Sequence, residues 1–151
     1  MKKSLIIIIC LSSTLVFAQK SIRDKTKMCE ILTKMRNEDQ LYRKGKILGS
    51  LFGNENKYSK KEIDSVWALQ IEIDNRNTEK LIELTKVYGW INDERIDCPK
   101  LNIWLIFRHS QKEYFDDIAE LIEKEHNKKR LKDSHYKFIK NHLEGRPRMN
   151  N

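Results

Sequence analysis

Residues 59–89 read SKKEIDSVWALQIEIDNRNTEKLIELTKVYG, and the spacing of their apolar side chains decides the fold. The stretch opens with Ser59-Lys60-Lys61-Glu62, a capping box typical of a helix N-terminus. Apolar residues then recur at steps of three and four, which is the period of one helix face. The polar run 74–78 predicts a break or bend, and a further helix over residues 79–88 ends at Gly89, the usual residue of a left-handed C-cap.

The chain on either side of this stretch also has helical spacing, and no run alternates with the period of a strand. Further helices are predicted over residues 23–44, 110–128 and 133–143. The apolar run 101–107 could be a buried strand or a buried helix, and its helical flanks favour the helix. The sequence therefore predicts an all-α fold, a single small bundle of about five helices over residues 19–145, followed by a disordered tail at 146–151.

The first 18 residues have the layout of a secretory signal peptide. Lys2 and Lys3 precede an apolar run over residues 5–16, and Val16-Phe17-Ala18 supplies small residues at positions −3 and −1 of a cleavage point. The run is shorter than the roughly 20 apolar residues of a spanning helix, although an uncleaved anchor is the alternative. The pattern predicts an exported protein, periplasmic or extracellular, without a transmembrane segment in the mature chain.

The charge of the chain restricts its partners. Removal of residues 1–18 takes away Lys2 and Lys3 and no acid, so the formal charge falls from +8 to +6. Positive charge is concentrated over residues 123–148, which favours either anionic partners or simply solvated helix faces. Because export argues against nucleic acid, the partners predicted are a polar or anionic ligand, or an envelope protein.

Two cysteines remain after the predicted cleavage, Cys29 and Cys98. In an oxidising compartment they could form a disulfide, and each could equally be a small buried residue, so both interpretations stay open.

No cysteine and histidine spacing is typical of a zinc site. The Glu-x-x-His motif at 123–126 occurs once, whereas a di-iron bundle needs it twice. The sequence therefore predicts neither a metal nor a cofactor.

Three polar residues interrupt apolar helix faces. Asp39 follows Met35 by four residues, Asp74 continues the stripe of the preceding helix, and His109 ends the most apolar segment of the chain. A carboxylate against a core needs a partner, and Arg43, one turn beyond Asp39, is the nearest candidate. If they meet in one cleft, Asp39, Asp74 and His109 could perform acid–base chemistry or, with Arg43, bind a polar ligand.

Each of these residues also has a purely structural interpretation. Asp39 and Arg43 have the spacing of a salt bridge along one helix. Asp74 could cap a helix beginning near Asn77, and His109 could cap the end of its own helix, where a cation is favoured. Only their convergence in space would favour a functional site.

The same positions fall within short motifs that resemble an uncharacterised bacterial family of exported helical proteins, a domain of unknown function. The motifs are Met35…Asp39-Gln40…Arg43, Asp74…Asn77, Gly89-Trp90, Arg108-His109 and Gly145-Arg146-Pro147. The resemblance implies ligand-binding roles for Gln40, Arg43, Asn77 and Arg108, and it supplies no reaction. Arg108 stands where the family has glutamine, and the chain ends before the family's last motif, so the retention of any family activity stays open.

Two functional hypotheses follow from the sequence. The first is an exported binding or interaction module, favoured by the basic last third and by the lack of a nucleophile signature. The alternative is a hydrolase-like enzyme that uses His109 with Asp39 and Asp74 as acid and base. The distances between these side chains distinguish the two hypotheses.

Overall fold

The computed structural model describes residues 20–51 and 57–147. All regular elements in these ranges are helices, which confirms the all-α prediction. The helices are α1 (Lys25–Asp39), α2 (Lys46–Ser50), α3 (Lys60–Tyr88), α4 (Asp93–Ile96), α5 (Trp104–Arg108), α6 (Phe115–Asn127) and α7 (Asp133–Leu143), with a 3₁₀ turn at Lys112–Tyr114. None of these helices combines the length and the apolar character that crossing a membrane requires.

The core lies where the C-terminal half of α3 meets α1, α5 and α6, with α7 packed on α5 and α6. One fully buried side chain from each of these helices marks its centre: Leu32, Leu81, Phe107, Ile118 and Ile139. Burial of each such side chain contributes about 1.5–3 kcal/mol. The short helix α2 also packs on α3.

The predicted break at residues 74–78 is wrong, because α3 continues through it without interruption. Asp74, Asn77 and Thr78 are 2 %, 2 % and 0 % exposed. Their unfavourable helix propensities amount to no more than about 0.7 kcal/mol each. Two of them gain partners from outside the helix: the Asn77 amide donates to the Met35 carbonyl at 3.1 Å, and Asp74 is bonded to Arg43. The polar run therefore docks α3 on α1 and on the turn that follows α1.

The first helix ends at Asp39 rather than near Lys44. Its continuation is replaced by other hydrogen bonds. The backbone N–H of Tyr42 donates to the side-chain oxygen of Gln70 at 3.1 Å, and the guanidinium of Arg43 turns back to the carbonyl of Asp39. This turn brings Arg43 against α3 and leads into the short helix α2, which buries Leu48.

The predicted helix within residues 101–107 is confirmed in part, since α5 begins at Trp104. The helix predicted over residues 110–128 begins later, since α6 starts at Phe115. The Ser110 hydroxyl donates to the Phe107 carbonyl at 2.8 Å, and the 3₁₀ turn precedes α6. The helix predicted over residues 133–143 is confirmed as α7, and the carboxylate of its first residue, Asp133, lies 2.9 Å from Nε2 of His126.

Cys29 and Cys98 form a disulfide with a Cα–Cα distance of 5.6 Å. It links α1 to the segment after α4 across 69 residues of chain. The pairing resolves the two interpretations that the sequence left open.

The predicted signal peptide, residues 1–18, lies outside the described residues. Of the predicted tail, Arg146 and Pro147 are described and are hydrogen-bonded. The Pro147 carbonyl accepts from the Asn141 side chain at 2.7 Å, and the Arg146 backbone N–H donates to the Asn141 carbonyl at 2.7 Å. The chain therefore turns back on the end of α7 at these two residues, and residues 148–151 lie outside the described part.

Candidate functional site

The four polar side chains singled out in the sequence meet in one cluster. Nδ1 of His109 lies 2.7 Å from a carboxylate oxygen of Asp39. The Arg43 guanidinium binds both carboxylate oxygens of Asp74 and lies 3.4 Å from Asp39. The four side chains thus lie together, and the alternative that Asp74 caps a helix is excluded because it lies in the middle of α3.

Three helices position this polar cluster. Asp39 is the last residue of α1, Asp74 lies in the middle of α3, and His109 is the C-cap of α5. Gln70, one turn before Asp74 on α3, is fully buried and connects the parts. Its amide nitrogen donates to the Asp39 carbonyl at 3.2 Å and to the Asp74 carboxylate at 2.9 Å. Gln70 therefore links α1 to Asp74 within the cluster, next to the bonds of Arg43.

Asp39 is 1 % exposed and carries a negative charge. Burial alone would raise its pKa, but the hydrogen bond and charge of His109, the hydrogen bond of Gln40 and the charge of Arg43 together hold the pKa below its usual value. The ionised carboxylate can only accept, so Nδ1 of His109 donates to it. Nε2 is then the ring nitrogen left for a ligand, the arrangement by which a carboxylate orients a catalytic histidine.

A cleft of about 510 Å³ adjoins the cluster. Arg43, Asp74 and His109 belong to its lining, while Asp39 lies behind His109. The rest of the lining divides by chemistry. The apolar part, from α2, α3 and α6, comprises Leu48, Trp67, Ile71 and Phe115. The cationic part comprises Arg108 at the end of α5, Lys112 in the 3₁₀ turn and Arg146 just after α7, and His142 lies beside them.

The arginines of the cationic part are bonded to neutral acceptors. Arg108 donates to the Phe138 carbonyl at 2.9 Å, and its guanidinium lies 5.7 Å from the centre of the Phe138 ring. Arg146 donates to the Arg108 carbonyl at 3.2 Å and to Nδ1 of His142 at 3.1 Å. Burial, and then the charge of Arg146, lower the pKa of Arg108. Within the described residues neither arginine has a carboxylate partner.

His142 is held as a neutral ring. Its Nε2 lies 2.9 Å from the Ser110 carbonyl and donates to it, so Nδ1 is the acceptor for Arg146. Burial lowers the pKa of His142, the bond to Ser110 opposes that shift, and the charges of Arg146, Arg108 and His109 add to the lowering. A proton on Nδ1 would face the Arg146 N–H that donates to this atom, so the hydrogen bond between them would be lost.

His142→Gln is expected to flatten the dependence of stability on pH. Because the pKa of His142 is lower in the folded state than its usual value of 6.5, the unfolded chain binds more protons, and the wild-type free energy of unfolding falls as pH drops below about 6.5. Glutamine can donate to Ser110 and accept from Arg146 without titrating. Urea denaturation between about pH 5 and pH 7.5 measures the effect.

The pKa of His135 is lowered as well, chiefly by burial and then by Lys132. In His135→Gln, the dependence of the free energy of unfolding on pH should therefore fall only by the contribution of His135. H142Q added to that variant should flatten the dependence further. An unchanged slope in H142Q would contradict the assignment of His142 as a neutral acceptor.

Of the other three predicted site residues, Gln40 and Arg108 lie at the polar cluster or the cleft, and Asn77 does not. Gln40 donates to the second carboxylate oxygen of Asp39 at 2.7 Å, and Arg108 lines the cleft. Asn77 does not join the cleft; it lines a separate groove between α1 and α3. The ligand-binding role that the resemblance implies for Asn77 therefore has no support from its position.

Sequence reasoning missed Gln70, Lys112, His142 and Arg146. Gln70 falls on the buried stripe of α3 and His142 follows the buried Ile139 by three residues, so both carried the same signal of a polar residue at an apolar position. Lys112 and Arg146 carried no such signal, because their place depends on how the chain turns after α5 and α7. Within the described ranges no group of three or more His, Cys, Asp and Glu side chains is placed to hold a metal.

Comparison of the chain with models of protein families, with curated proteins and with solved structures gives no match. The resemblance to an uncharacterised exported family thus stays a prediction. What can be said about function rests on the polar cluster and the cleft.

Proposed function

We propose that this chain is an exported module that binds a small anionic ligand in the cleft beside the polar cluster. The observation that carries the proposal is the pair Arg108 and Arg146, whose guanidinium groups line the cleft bonded to carbonyls and an imidazole. Two adjacent cations bonded to neutral acceptors leave their charge available to an anion. Export is inferred from the signal-peptide pattern of residues 1–18.

The charge balance of the cleft supports an anionic ligand. Its lining holds four cationic side chains, Arg43, Arg108, Lys112 and Arg146, and one carboxylate, Asp74. Arg43 and Asp74 compensate each other through two hydrogen bonds. The other three cations give the cleft a net positive charge, which attracts anions and concentrates them locally. Its volume of about 510 Å³ fits a small molecule.

Titration calorimetry with inorganic phosphate, sulfate and acetate at low ionic strength tests the proposal. Arg146→Gln is expected to weaken phosphate binding by about 10- to 100-fold, since a charge-assisted hydrogen bond is lost. Arg146 is exposed, so the variant should fold normally. Lys137→Gln is the matched control, because it removes the same charge from exposed surface on α7 outside the cleft. Equal affinities in both variants, or no binding of any of the three anions, would refute the proposal.

A second candidate is a hydrolase-like enzyme, favoured by the bond between Asp39 and Nδ1 of His109. A histidine oriented in this way can take or give a proton at Nε2, which is worth about 10²–10⁴ in rate. Incubating the protein with an ester that it binds, and then recovering that ester, separates the two candidate functions. Intact ligand supports the binding module, whereas cleavage that stops in His109→Gln with binding retained supports the enzyme.

A further inference from the structure

The cationic part of the cleft matches a dianion better than a carboxylate. Arg108, Lys112 and Arg146 together carry three positive charges without a carboxylate partner among the described residues. A phosphate ester offers about −1.5 to −2 charge and three terminal oxygens at neutral pH. A carboxylate has two oxygens and a single negative charge, so it would compensate only one of the three cations.

The rest of the lining indicates that the ligand has an organic part. Leu48, Trp67 and Ile71 from α2 and α3 border the same cleft. Ile71 is 37 % exposed and Trp67 is half-buried, so both keep apolar surface that a ligand could cover. The Arg43 guanidinium lies 6.0 Å from the centre of the Trp67 ring and fixes this side chain next to the polar cluster. Inorganic phosphate would leave this apolar part uncovered.

We propose that the ligand is a phosphate monoester of an apolar or ring-bearing alcohol. Its phosphate lies between Arg108 and Arg146, and its organic group lies against Trp67 and Ile71. The proposal rests on the proposed function, since it names the ligand class of the same cleft. The ester oxygen then falls between the two parts of the cleft, where His109 contributes to the lining.

Four probes separate the contributions of the acid group and the ring: methylphosphonate, phenylphosphonate, benzenesulfonate and benzoate. They stand in for the ester because none of them is cleaved by simple hydrolysis. We expect phenylphosphonate to bind at least about tenfold more tightly than methylphosphonate, since the ring buries apolar surface. We expect a similar preference over benzenesulfonate and benzoate, which carry a single charge. Calorimetry at fixed ionic strength gives all four affinities.

Two variants test where the phenyl ring of the ligand lies in the cleft. Trp67→Leu and Ile71→Ser are each expected to lower the affinity for phenylphosphonate severalfold and to leave methylphosphonate unchanged. Leu69→Ser is the matched control, because Leu69 is exposed on the same helix and does not line the cleft. Should Trp67→Leu fail to fold, Ile71→Ser decides, since Ile71 is already exposed to solvent.

The outcomes separate this inference from the proposed function. Binding of phosphate and methylphosphonate without a preference for the phenyl compound overturns the monoester assignment and leaves the anion-binding module intact. Equal binding of phenylphosphonate, benzenesulfonate and benzoate likewise overturns it. If none of the anions binds, the proposed function itself falls.

Discussion

Replacement of Arg43 by leucine is expected to lower the free energy of unfolding by about 3–5 kcal/mol, the usual result of breaking a buried ion pair from one side. Arg43 is bonded to Asp74 through both carboxylate oxygens and lies 3.4 Å from Asp39. These two aspartates are 2 % and 1 % exposed, so the variant would leave their charges in the protein interior. Urea denaturation at neutral pH measures the loss.

Arg76→Gln is the control for this loss. Arg76 also bridges α3 to α1, through Glu38 at 3.1 Å, but its side chain is 61 % exposed. Exposed pairs of this kind contribute at most about 1 kcal/mol. The double variant R43L/D74L should regain about half of the loss of R43L, because it removes the stranded carboxylate together with its partner. A loss below about 1 kcal/mol in R43L would show that the pair is not buried in solution.

The helices could be predicted from the sequence because their signals are local. The capping box at Ser59 is present, with both of its reciprocal bonds, and α3 ends at Gly89 as predicted. The φ of Gly89 is positive, 73°, but its ψ of -179° differs from that of the predicted left-handed cap. The break at residues 74–78 was mispredicted because its outcome depends on partners 31 to 42 residues away, Arg43 and the Met35 carbonyl. Local propensity carries no information about such partners.

The candidate site, like the fold, has a part that local signals predict and a part that depends on distant contacts. Asp39, Asp74 and His109 could be found because each places a polar group on an apolar helix face, which is costly without compensation. Gln70, whose amide binds both the Asp39 carbonyl and the Asp74 carboxylate, lies on the same buried face of α3, but nothing in the sequence distinguishes it as the link between them. The cationic part of the cleft could not be predicted, because Arg146 reaches it through the turn at Gly145, where φ is 83°.

The cysteines show how a distance decides what a sequence leaves open. Cys29 and Cys98 are compatible with a disulfide or with two buried thiols, and only their separation in space distinguishes these. The Cα–Cα distance of 5.6 Å lies within the range of disulfides. The bond is consistent with the export that the N-terminal pattern predicts, since disulfides persist in oxidising compartments.

Removal of the disulfide is expected to lower the free energy of unfolding by about 4 kcal/mol, because a bridge across 69 residues restricts the unfolded chain. For a domain of this size the loss corresponds to a fall in Tm on the order of 15 °C. Thermal melts of the wild type with and without a phosphine reductant measure it. The double variant Cys29→Ala/Cys98→Ala should match the reduced wild type.

The double variant also provides the control, since its own melt should not respond to the reductant. A wild-type Tm that is unchanged on reduction, with complete reduction verified by thiol titration, would contradict the prediction. The polar cluster should survive the change, because the disulfide joins α1 near its start whereas Asp39 lies at its end. Retained phosphate binding by the double variant below its Tm would then show that the cleft is held by the contacts of α1, α3 and α5 and not by the bridge.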